Sequence, residues 1–411
     1  MKLLSLDAAR ECLAHEVVPR AAVEVSLADA AELVLARDVE ARVDLPAFDT
    51  SAMDGYAVGV EGLEHGREVT VQREAAAGAV PLTLGAGEAV RILTGARLPV
   101  GGVAVVPQEA VATLPNGRLR LPRAGEGDHV RRRGEVIRVG ATVVHAGERL
   151  DPARIGLGAA VGVQSVHVVP KPRVAVVVTG GELVSAHEAV RLGPSQIYDS
   201  NGPMLAAVAR ASGLDVVRRS AVPDSLDVML PVLEAASSAA ELVLTSGGVS
   251  VGDYDLVAEA LARLGAEVLF HGVAIKPGKP TLVARRGATY FVGLPGNPVA
   301  ALCGWTVFAR PLARRLAGRV VAFDEDQFEA TLVAGAHNSG ERELLLPSVV
   351  GLAAGRVVVV PGQMAGSHDL VGAGRANGFL RVPPRQRLEP GVVGACFVWG
   401  ELAHLDTTRT A

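Results

Sequence analysis

The sequence is most constrained by a pattern that occurs three times between residues 173 and 318: an apolar run, a glycine loop and a helical stretch. The three copies contain RVAVVVTGG, LVLTSGG and FVGLPGN. A continuous apolar run is typical of a parallel strand that is buried on both faces. Strands that alternate with helices predict a doubly wound α/β domain, whose ligands bind beyond the carboxyl ends of the strands. We therefore expect functional residues in these glycine loops.

The regions on either side of this domain have a different pattern. Short Val/Leu runs interrupted by Gly and Pro fill residues 66–135, and short strand-like runs return after residue 319. Both patterns are typical of β-rich modules. The segment Pro170-Lys171-Pro172 predicts a stiff boundary ahead of the α/β domain. We therefore expect the 411 residues to form a multidomain protein of α/β plus β class.

Charge, hydropathy and cysteine usage exclude several classes of protein. The net charge is −4 and no basic arm is visible, which argues against nucleic-acid binding. No apolar run approaches the ~18 residues that a membrane span needs. The three cysteines, Cys12, Cys303 and Cys396, are far apart and form no disulfide or zinc pattern. These features predict a cytoplasmic protein in a reducing compartment.

Two of the glycine loops predict an anion site. One contains Thr179, Gly180 and Glu182, and the other runs from Thr245 to Ser250. Paired glycines allow backbone N–H groups to face an anion, and the Thr and Ser hydroxyls add donors. Neither a P-loop nor a dinucleotide fingerprint is present, so the pattern favours another phosphate-containing ligand. The alternative is that these glycines only form tight turns at the strand ends.

Several carboxylates follow the predicted strands. They are Glu182, Asp199, Asp224, Asp253 and Asp255. Carboxylates that converge on a phosphate need a divalent cation between them, and oxygen ligands suit Mg²⁺. Helix N-capping by Asp253 and Asp255, and a turn at Asp224, are the structural alternatives.

Lysine is rare in this chain, and two lysines lie close together. Only four of the 40 basic residues are lysines, and Lys276 and Lys279 both belong to the segment IKPGKP. An ammonium group binds an oxyanion as a point charge, unlike a planar guanidinium. Retention of lysine at these two positions therefore favours an oxyanion site over a solvated loop.

Other residues allow more than one interpretation. Asn297, in LPGNP, stands where a helix begins, and its amide can also read the edge of a heterocycle. Asp54, in FDTSAMDGYAV, either caps a turn or projects a carboxylate into a cleft. His271 and His368 have no metal-ligand spacing, so we expect them to be structural or surface residues.

Taken together, the motifs resemble the MoeA family of molybdopterin molybdenumtransferases, to which the E domain of gephyrin is related. The motifs occur in the family's order along nearly the whole chain: FDTSAMDGYAV, RILTGARLP, RRRGE, VTGGELV, QIYDSNGPML, TSGGVSVGDYD, AIKPGKP, LPGNPVAAL and SHDLVGAGRANGFLRVP. The resemblance implies a reaction that takes adenylylated molybdopterin and molybdate, releases AMP and inserts molybdenum at the dithiolene. It also implies a divalent cation, with Mg²⁺ as the expected one.

The resemblance implies four regions and a dimer. Their expected bounds are 1–26 with 46–52 and 137–172 for linker domain I, 27–45 with 53–136 for β-rich domain II, 173–318 for the α/β molybdopterin-binding domain III, and 319–411 for the C-terminal β-barrel domain IV. The expected assembly is a homodimer whose active cleft lies between domain III of one subunit and domain II of the other. The adenylyltransferase that makes the substrate is a candidate partner.

The resemblance also assigns the site residues. The expected catalytic acids are Asp54, Glu182, Asp224 and Asp255, of which the last three are the expected metal ligands. The expected molybdate site consists of Lys276, Lys279, Arg342 and Ser367. The other positions expected to bind substrate are Thr94, Glu109, Thr179, Gly180, Asp199, Ser246, Gly247, Gly248, Ser250, Pro280, Gly296 and Asn297.

The sequence also departs from the family pattern, chiefly in domain II. Val103, Val136 and Gly181 stand where an aspartate is common in the family, and Gly272 where some members have a lysine. Fewer carboxylates are thus left for the cation. Two alternatives stay open: the adenylyltransferase that activates molybdopterin, which resembles residues 173–318 alone, and a non-catalytic carrier or scaffold. The choice between molybdate and tungstate also stays open.

Overall fold

The computed structural model of this chain describes residues 3–187, 191–249, 255–320, 323, 325 and 327–405, except the side chain of Gln72. The chain forms two compact units. The α/β-barrel unit consists of Met1–Val23 and Val169–Ala411, and the β-rich unit of Glu24–Val168. The predicted fold class is confirmed, with its central α/β domain and C-terminal β-barrel. The predicted domain boundaries stay predictions.

A six-stranded sheet forms the centre of the α/β-barrel unit. Its strands, in spatial order, are Asp215–Val222, Arg173–Thr179, Leu242–Ser246, Thr289–Leu294, Leu282–Arg286 and Glu267–His271. The first four strands are parallel, and Leu282–Arg286 runs antiparallel to both of its neighbours. This is the mostly parallel sheet that the repeated sequence pattern predicts.

The strand Arg173–Thr179 shows why its sequence is apolar throughout. Val174, Val176 and Val178 are buried in a core on one face of the sheet, whereas Val177 is buried in a second core on the other face. Successive side chains of a strand point to opposite faces, and helices cover both faces here. The strand therefore has no solvent-facing side that could carry polar residues.

Helices pack against both cores. The helices of this unit are Leu6–Glu16, Asn201–Ala211, Leu226–Ala239, Leu256–Arg263, Pro298–Gly304, Arg310–Leu316 and Leu370–Gly374, with a π-helical turn at Trp305–Ala309. Leu226–Ala239 and Leu256–Arg263 contribute to the second core, and the others to the first.

The first helix is fixed by a cap and an apolar face. The Ser5 Oγ accepts a hydrogen bond from the Ala8 N–H over 3.1 Å, and Leu6 and Leu13 are buried in the first core. The structure thus packs Leu6–Glu16 within the α/β-barrel unit, although the sequence prediction places residues 1–26 in linker domain I.

The C-terminal part of this unit is a closed barrel of five strands. In ring order they are Gln327–Leu332, Arg356–Pro361, Glu343–Ala353, Gly378–Val382 and Val393–Val398. Closure leaves no exposed sheet edge in the ring. The short strand Ile275–Lys276 pairs in parallel with Glu343–Ala353, which fastens the IKPGKP segment to the barrel. Shorter strands lie at Leu183–Val184, Ile197–Tyr198, Ala336–Asn338, Gln386–Leu388 and Ala403–His404.

The β-rich unit contains two main sheets, one α-helix, Pro152–Ala160, and short 3-10 helices at Leu27–Asp29, Val60–Leu63 and Gln108–Ala110. The strands of the six-stranded sheet are, in spatial order, Ala104–Pro107, Gly55–Val58, Glu88–Ile92, Glu68–Ala75, Leu119–Arg120 and Ala112–Thr113. The strands of the three-stranded sheet are Val23–Ser26, Ser165–Val169 and Val34–Leu35. The remaining strands form two short pairs: Thr50–Ser51 with Val130–Arg131, and Val39–Glu40 with Thr142–Val144.

Among the described residues, the helices are all too short or too polar to pass through a lipid bilayer.

Candidate active site

A cleft of about 870 Å³ lies at the carboxyl ends of the parallel strands. At this edge of the sheet the register pairs Thr179 with Val222, Val178 with Ser246, and Ser246 with Leu294. The glycine loops that follow the strands line the cleft. In open α/β sheets this is the usual place for a ligand. The structure therefore has a cleft where the sequence pattern predicts ligand binding.

Fourteen of the predicted site residues line the cleft. They are Thr179, Glu182, Asp199, Asp224, Ser246, Gly247, Gly248, Lys276, Lys279, Pro280, Gly296, Asn297, Arg342 and Ser367. Gly180 and Asp255 belong to the same unit but do not line the cleft. Ser250 lies outside the described residues.

The glycine at position 247 is required by packing. Its φ is +91°, and a Cβ there would lie 2.2 Å from the carbonyl oxygen of Thr179. The Gly247 N–H donates to the Leu294 carbonyl over 3.2 Å, and the Gly180 N–H donates to the Val222 carbonyl over 3.1 Å. These two amides therefore join neighbouring strand ends and do not face an anion, whereas the anion site expected from the paired glycines and the hydroxyls stays a prediction.

The Asp224 carboxylate is exposed at the cleft and is oriented by Thr179. The Thr179 side chain is buried, and its Oγ1 donates to Asp224 Oδ1 over 3.0 Å. Oδ2 of Asp224 accepts no hydrogen bond from the residues that the structure describes, so it is available to a ligand. Thr179 thus acts on the cleft by holding Asp224.

Two more carboxylates lie on the same side of the cleft. Glu182 is exposed there, whereas Asp199 Oδ1 accepts a hydrogen bond from the Gly202 N–H over 2.8 Å and so caps the helix Asn201–Ala211. With Asp224, they belong to loops that follow the two strands at one edge of the sheet. This side of the cleft is therefore acidic.

The other side of the cleft is cationic. Lys276 ends the short strand Ile275–Lys276, and Lys279 lies in the loop that leads to the strand Leu282–Arg286, across the sheet from Asp224. Arg342 comes from the barrel, and its Nη1 donates to the Ile275 carbonyl over 3.0 Å. The cleft is thus polarised along the sheet edge, and its cationic side favours an anionic ligand.

Ser367 joins the barrel to the LPGNP loop. Asn297 Nδ2 donates to Ser367 Oγ over 2.8 Å, and the Val299 N–H donates to the Ser367 carbonyl over 3.0 Å. Asn297, expected to contact pterin or phosphate, and Ser367, expected to bind molybdate, are therefore in direct contact. The bonds hold this segment of the barrel against the start of the helix Pro298–Gly304.

Asp255 caps a helix. Its Oδ1 accepts a hydrogen bond from the Ala258 N–H over 2.8 Å, and its Oδ2 lies 3.2 Å from His271 Nε2. The capping interpretation of Asp255 is confirmed by this geometry. His271 stands beside this capping carboxylate, in agreement with the structural role that the sequence analysis expects for it.

Across the described ranges, no three His, Cys, Asp or Glu side chains converge on a point that could hold a metal ion. The predicted trio of Glu182, Asp224 and Asp255 is thus not assembled by the protein alone, because Asp255 is held at the helix. Glu182 and Asp224 both line the cleft. Proteins commonly hold Mg²⁺ with one or two carboxylates and the phosphates of a substrate. These two acids therefore fit a cation that a phosphorylated ligand would complete.

The cleft is also lined by residues that the sequence analysis does not assign to it. Asn201 is buried and bonds two of the cleft loops. His368, expected to be a structural or surface residue, is exposed and lines the cleft, as does Tyr198. The only signal for Asn201 was its position in QIYDSNGPML, beside the predicted Asp199.

The predicted residues of the β-rich unit form a polar cluster of their own. The Thr94 N–H and Oγ1 both donate to Asp54 Oδ1 over 2.7 Å. The hydroxyl bond, followed by the amide bond, holds the pKa of Asp54 below its usual range. The Gln108 N–H donates to the Asp54 carbonyl, and the Gln108 side chain donates to Glu109. Asp54 is therefore preorganised as a carboxylate.

Three comparisons relate the chain to known proteins. Residues 4–162 match the family model of the MoeA N-terminal region (domain I and II), and residues 175–315 match that of the probable molybdopterin binding domain. Molybdopterin molybdenumtransferase 2 of Mycobacterium tuberculosis is 38% identical over 372 residues, which are 88% of this chain and 91% of the relative. Molybdopterin molybdenumtransferase of Staphylococcus aureus is 33% identical over 373 residues, 89% of this chain and 88% of the relative. A crystal structure of the molybdopterin biosynthesis MoeA protein from Pyrococcus horikoshii matches with a TM-score of 0.81 and 31% identity, over 97% of this chain and 100% of that chain.

Proposed function

Because the chain belongs to the MoeA family, we propose that it is an enzyme of molybdenum cofactor biosynthesis that inserts molybdenum from molybdate into adenylylated molybdopterin and releases AMP. The observation that carries this proposal is the polarised cleft, with Glu182 and Asp224 on one side and Lys276, Lys279 and Arg342 on the other. Molybdate is an oxyanion and binds directly to positively charged side chains. The phosphoanhydride is held through a divalent cation, which binds to carboxylates, and the two sides of this cleft supply these two kinds of group.

The cationic side is the proposed molybdate site. Lys276, Lys279 and Arg342 supply positive charge, and the Ser367 hydroxyl adds a neutral donor. Charge-assisted hydrogen bonds of this kind are stronger than hydrogen bonds between neutral groups, and several of them together hold the oxyanion in a fixed position. Arg342 is itself oriented by the Ile275 carbonyl, so little ordering is needed when molybdate binds.

The middle of the cleft is the proposed place for the pterin and the dithiolene. Ser246, Gly248, Gly296 and Asn297 line it, at the ends of the two central strands. Small residues let a flat ligand approach the backbone closely. We propose that the ligand binds with its dithiolene sulfurs towards the lysines and its phosphoanhydride towards Asp224.

The acidic side is the proposed site of AMP release. Glu182 and Asp224 would hold a divalent cation, expected to be Mg²⁺, together with the phosphates of the substrate. When bound, the cation neutralises negative charge on the phosphoanhydride. The Thr179 hydroxyl keeps Asp224 Oδ1 in place and leaves Oδ2 for the cation.

The composition of the cleft favours this activity over the two alternatives. An adenylyltransferase would need only the α/β domain, whereas Arg342 and Ser367 of this cleft come from residues beyond 318. A carrier has no need of an exposed and oriented carboxylate such as Asp224.

The proposed function is tested by AMP release from adenylylated molybdopterin and Mg²⁺, with and without molybdate. We expect AMP release that depends on molybdate. Tight binding without release would favour the carrier, and AMP-forming or adenylyl-transferring activity indifferent to molybdate would favour another enzyme. Adding tungstate in place of molybdate shows whether the site discriminates between the two oxyanions.

The Lys279→Ala variant should raise the molybdate concentration needed for half-maximal rate by about 10-fold or more, because one charged donor is lost from the proposed oxyanion site. The measurement is the initial rate of AMP release against molybdate concentration. Lys171→Ala is a matched control, since Lys171 is outside the residues that line the cleft. Superimposable curves for Lys279→Ala and the parent would remove Lys279 from the molybdate site.

We also propose a homodimer in which Asp54, Thr94 and Glu109 of one subunit complete the cleft of the other, as the family resemblance implies. The preorganised Asp54 carboxylate supports a role in binding a cation or donor group. In a 1:1 mixture of Asp54→Asn and Asp224→Asn subunits that exchange freely, each mixed dimer would hold one intact site. Random assembly should then restore about a quarter of the parent activity. Absence of restored activity, with exchange demonstrated, would contradict the shared site.

We also propose a cellular location and a protein partner. The three cysteines are free in the structure, which supports a reducing, cytoplasmic location. The adenylyltransferase that supplies the substrate is the candidate partner.

A further inference from the structure

The side-chain amide of Asn201 links three segments of the cleft wall. Asn201 is the first residue of the helix Asn201–Ala211, and only 8% of it is exposed. Its Nδ2 donates to Ser246 Oγ over 2.8 Å and to the Gly296 carbonyl over 2.6 Å. An amide nitrogen carries two hydrogens, so both donors are used, each on a different loop.

The two loops are also bonded to each other. Ser246 Oγ donates to the Pro295 carbonyl over 3.2 Å, and the Gly247 N–H donates to the Leu294 carbonyl over the same distance. These groups follow the two central strands of the sheet. Asn201 therefore closes a buried network that joins a helix to the two loops in the middle of the cleft.

We infer that Asn201 is a positioning residue for molybdopterin: it holds the loops of Ser246 and Gly296 at the spacing that the pterin requires. The inference rests on the proposed function, because it takes molybdopterin as the ligand of these loops. A buried network in which every polar group is hydrogen-bonded holds its side chains and loops in one position. A loop that is already held in this way loses less conformational entropy when it binds a ligand. No other common side chain of this length offers two N–H donors on one atom and no charge.

The cationic side of the cleft is held by different contacts. Arg342 bonds the Ile275 carbonyl, and the strand Ile275–Lys276 pairs with the barrel strand Glu343–Ala353. None of these groups is bonded to Asn201 in the described structure. Ser367 is bonded to Asn297, next to Gly296, and is thus the member of the proposed molybdate site that adjoins the Asn201 network. Loss of the Asn201 amide should therefore weaken molybdopterin binding much more than it changes the response to molybdate.

The test compares Asn201→Leu, which keeps the approximate shape and removes both donors, with Asn201→Asp, which places a carboxylate oxygen against the Gly296 carbonyl. The matched control is Ser212→Ala, which removes the hydrogen bond from Ser212 Oγ to the Val208 carbonyl at the opposite end of the same helix. We measure the Kd of molybdopterin in its adenylylated form, without molybdate, by equilibrium titration, and the half-saturating molybdate concentration in turnover.

We expect both Asn201 variants to raise the Kd of molybdopterin at least 10-fold, with half-saturating molybdate within two-fold of the parent. Ser212→Ala should leave both constants within two-fold. Equal rises in both constants would show a general structural role and overturn the inference, as would an unchanged Kd. If both Asn201 variants fail to fold, Asn201→Gln, which keeps both N–H donors on a longer side chain and so changes the spacing of the two loops, must still raise the Kd. A parent protein that does not bind adenylylated molybdopterin would overturn the proposed function itself, and the inference with it.

Discussion

Asp224→Asn should lower kcat for AMP release by about 100-fold or more while the protein stays folded. Asparagine keeps an oxygen that can accept the Thr179 hydrogen bond, so the local geometry persists. It removes the negative charge that would hold the cation against the phosphoanhydride, and loss of one preorganised electrostatic group typically costs 10²–10³ in rate. The measurement is the rate of molybdate-dependent AMP release at saturating substrate and Mg²⁺, with circular dichroism as a check on folding.

A nearby carboxylate provides the control for this substitution. Asp227 is exposed in the first turn of the helix Leu226–Ala239 and is not among the residues that line the cleft. Asp227→Asn should therefore keep the parent rate. An Asp224→Asn protein with the kcat of the parent would remove Asp224 from the mechanism. Thr179→Val should lower kcat less than Asp224→Asn does, because it removes the orienting bond and leaves the charge.

Gly247→Ala should destabilise the α/β-barrel unit by about 3 kcal/mol or more. The φ of +91° is strained for any residue with a Cβ, and the added Cβ would lie 2.2 Å from the Thr179 carbonyl oxygen. The carbonyl belongs to the end of a buried strand and cannot move without breaking the sheet. Urea unfolding followed by circular dichroism measures the change, and activity should fall with it because Thr179 also holds Asp224.

Gly181→Ala is the matched control, because a Cβ at Gly181 would meet no atom within 4 Å. We expect its midpoint in urea to lie close to that of the parent. A Gly247→Ala protein as stable as the parent would mean that the strand ends can separate, and it would contradict the close packing of Gly247 on Thr179.

The architecture of the α/β-barrel unit was predictable because short segments of the sequence specify its strands and its strand-to-helix loops. Val174 to Val178 must be apolar when both faces of a strand are covered, and a glycine loop must follow when a helix turns back over the sheet. The same logic placed the cleft at the strand ends. It also predicted that Asp255 could cap a helix, since an acid at a helix start has a local partner.

Contacts between distant segments were not predictable from the residue pattern. A pair of glycines is compatible both with an anion site and with close packing of the backbone. Only the folded structure shows that the Thr179 carbonyl lies so close to Gly247 that a side chain could not fit there. Similarly, Asn201 has no periodicity or spacing that marks it, because its partners Ser246 and Gly296 lie 45 and 95 residues away.

Strand burial, turn chemistry and motif order are local properties of the chain, so the fold class, the family resemblance and the residue types of the cleft can be recognised from the amino-acid pattern. Which of these residues meet depends on the folded arrangement of distant segments. This arrangement separated Asp255 from the cleft by giving it Ala258 and His271, joined Ser367 to Asn297, and brought Arg342 to the lysine loop. Side chains far apart in sequence come together only when the sheet register and the barrel closure fix the positions of their backbones.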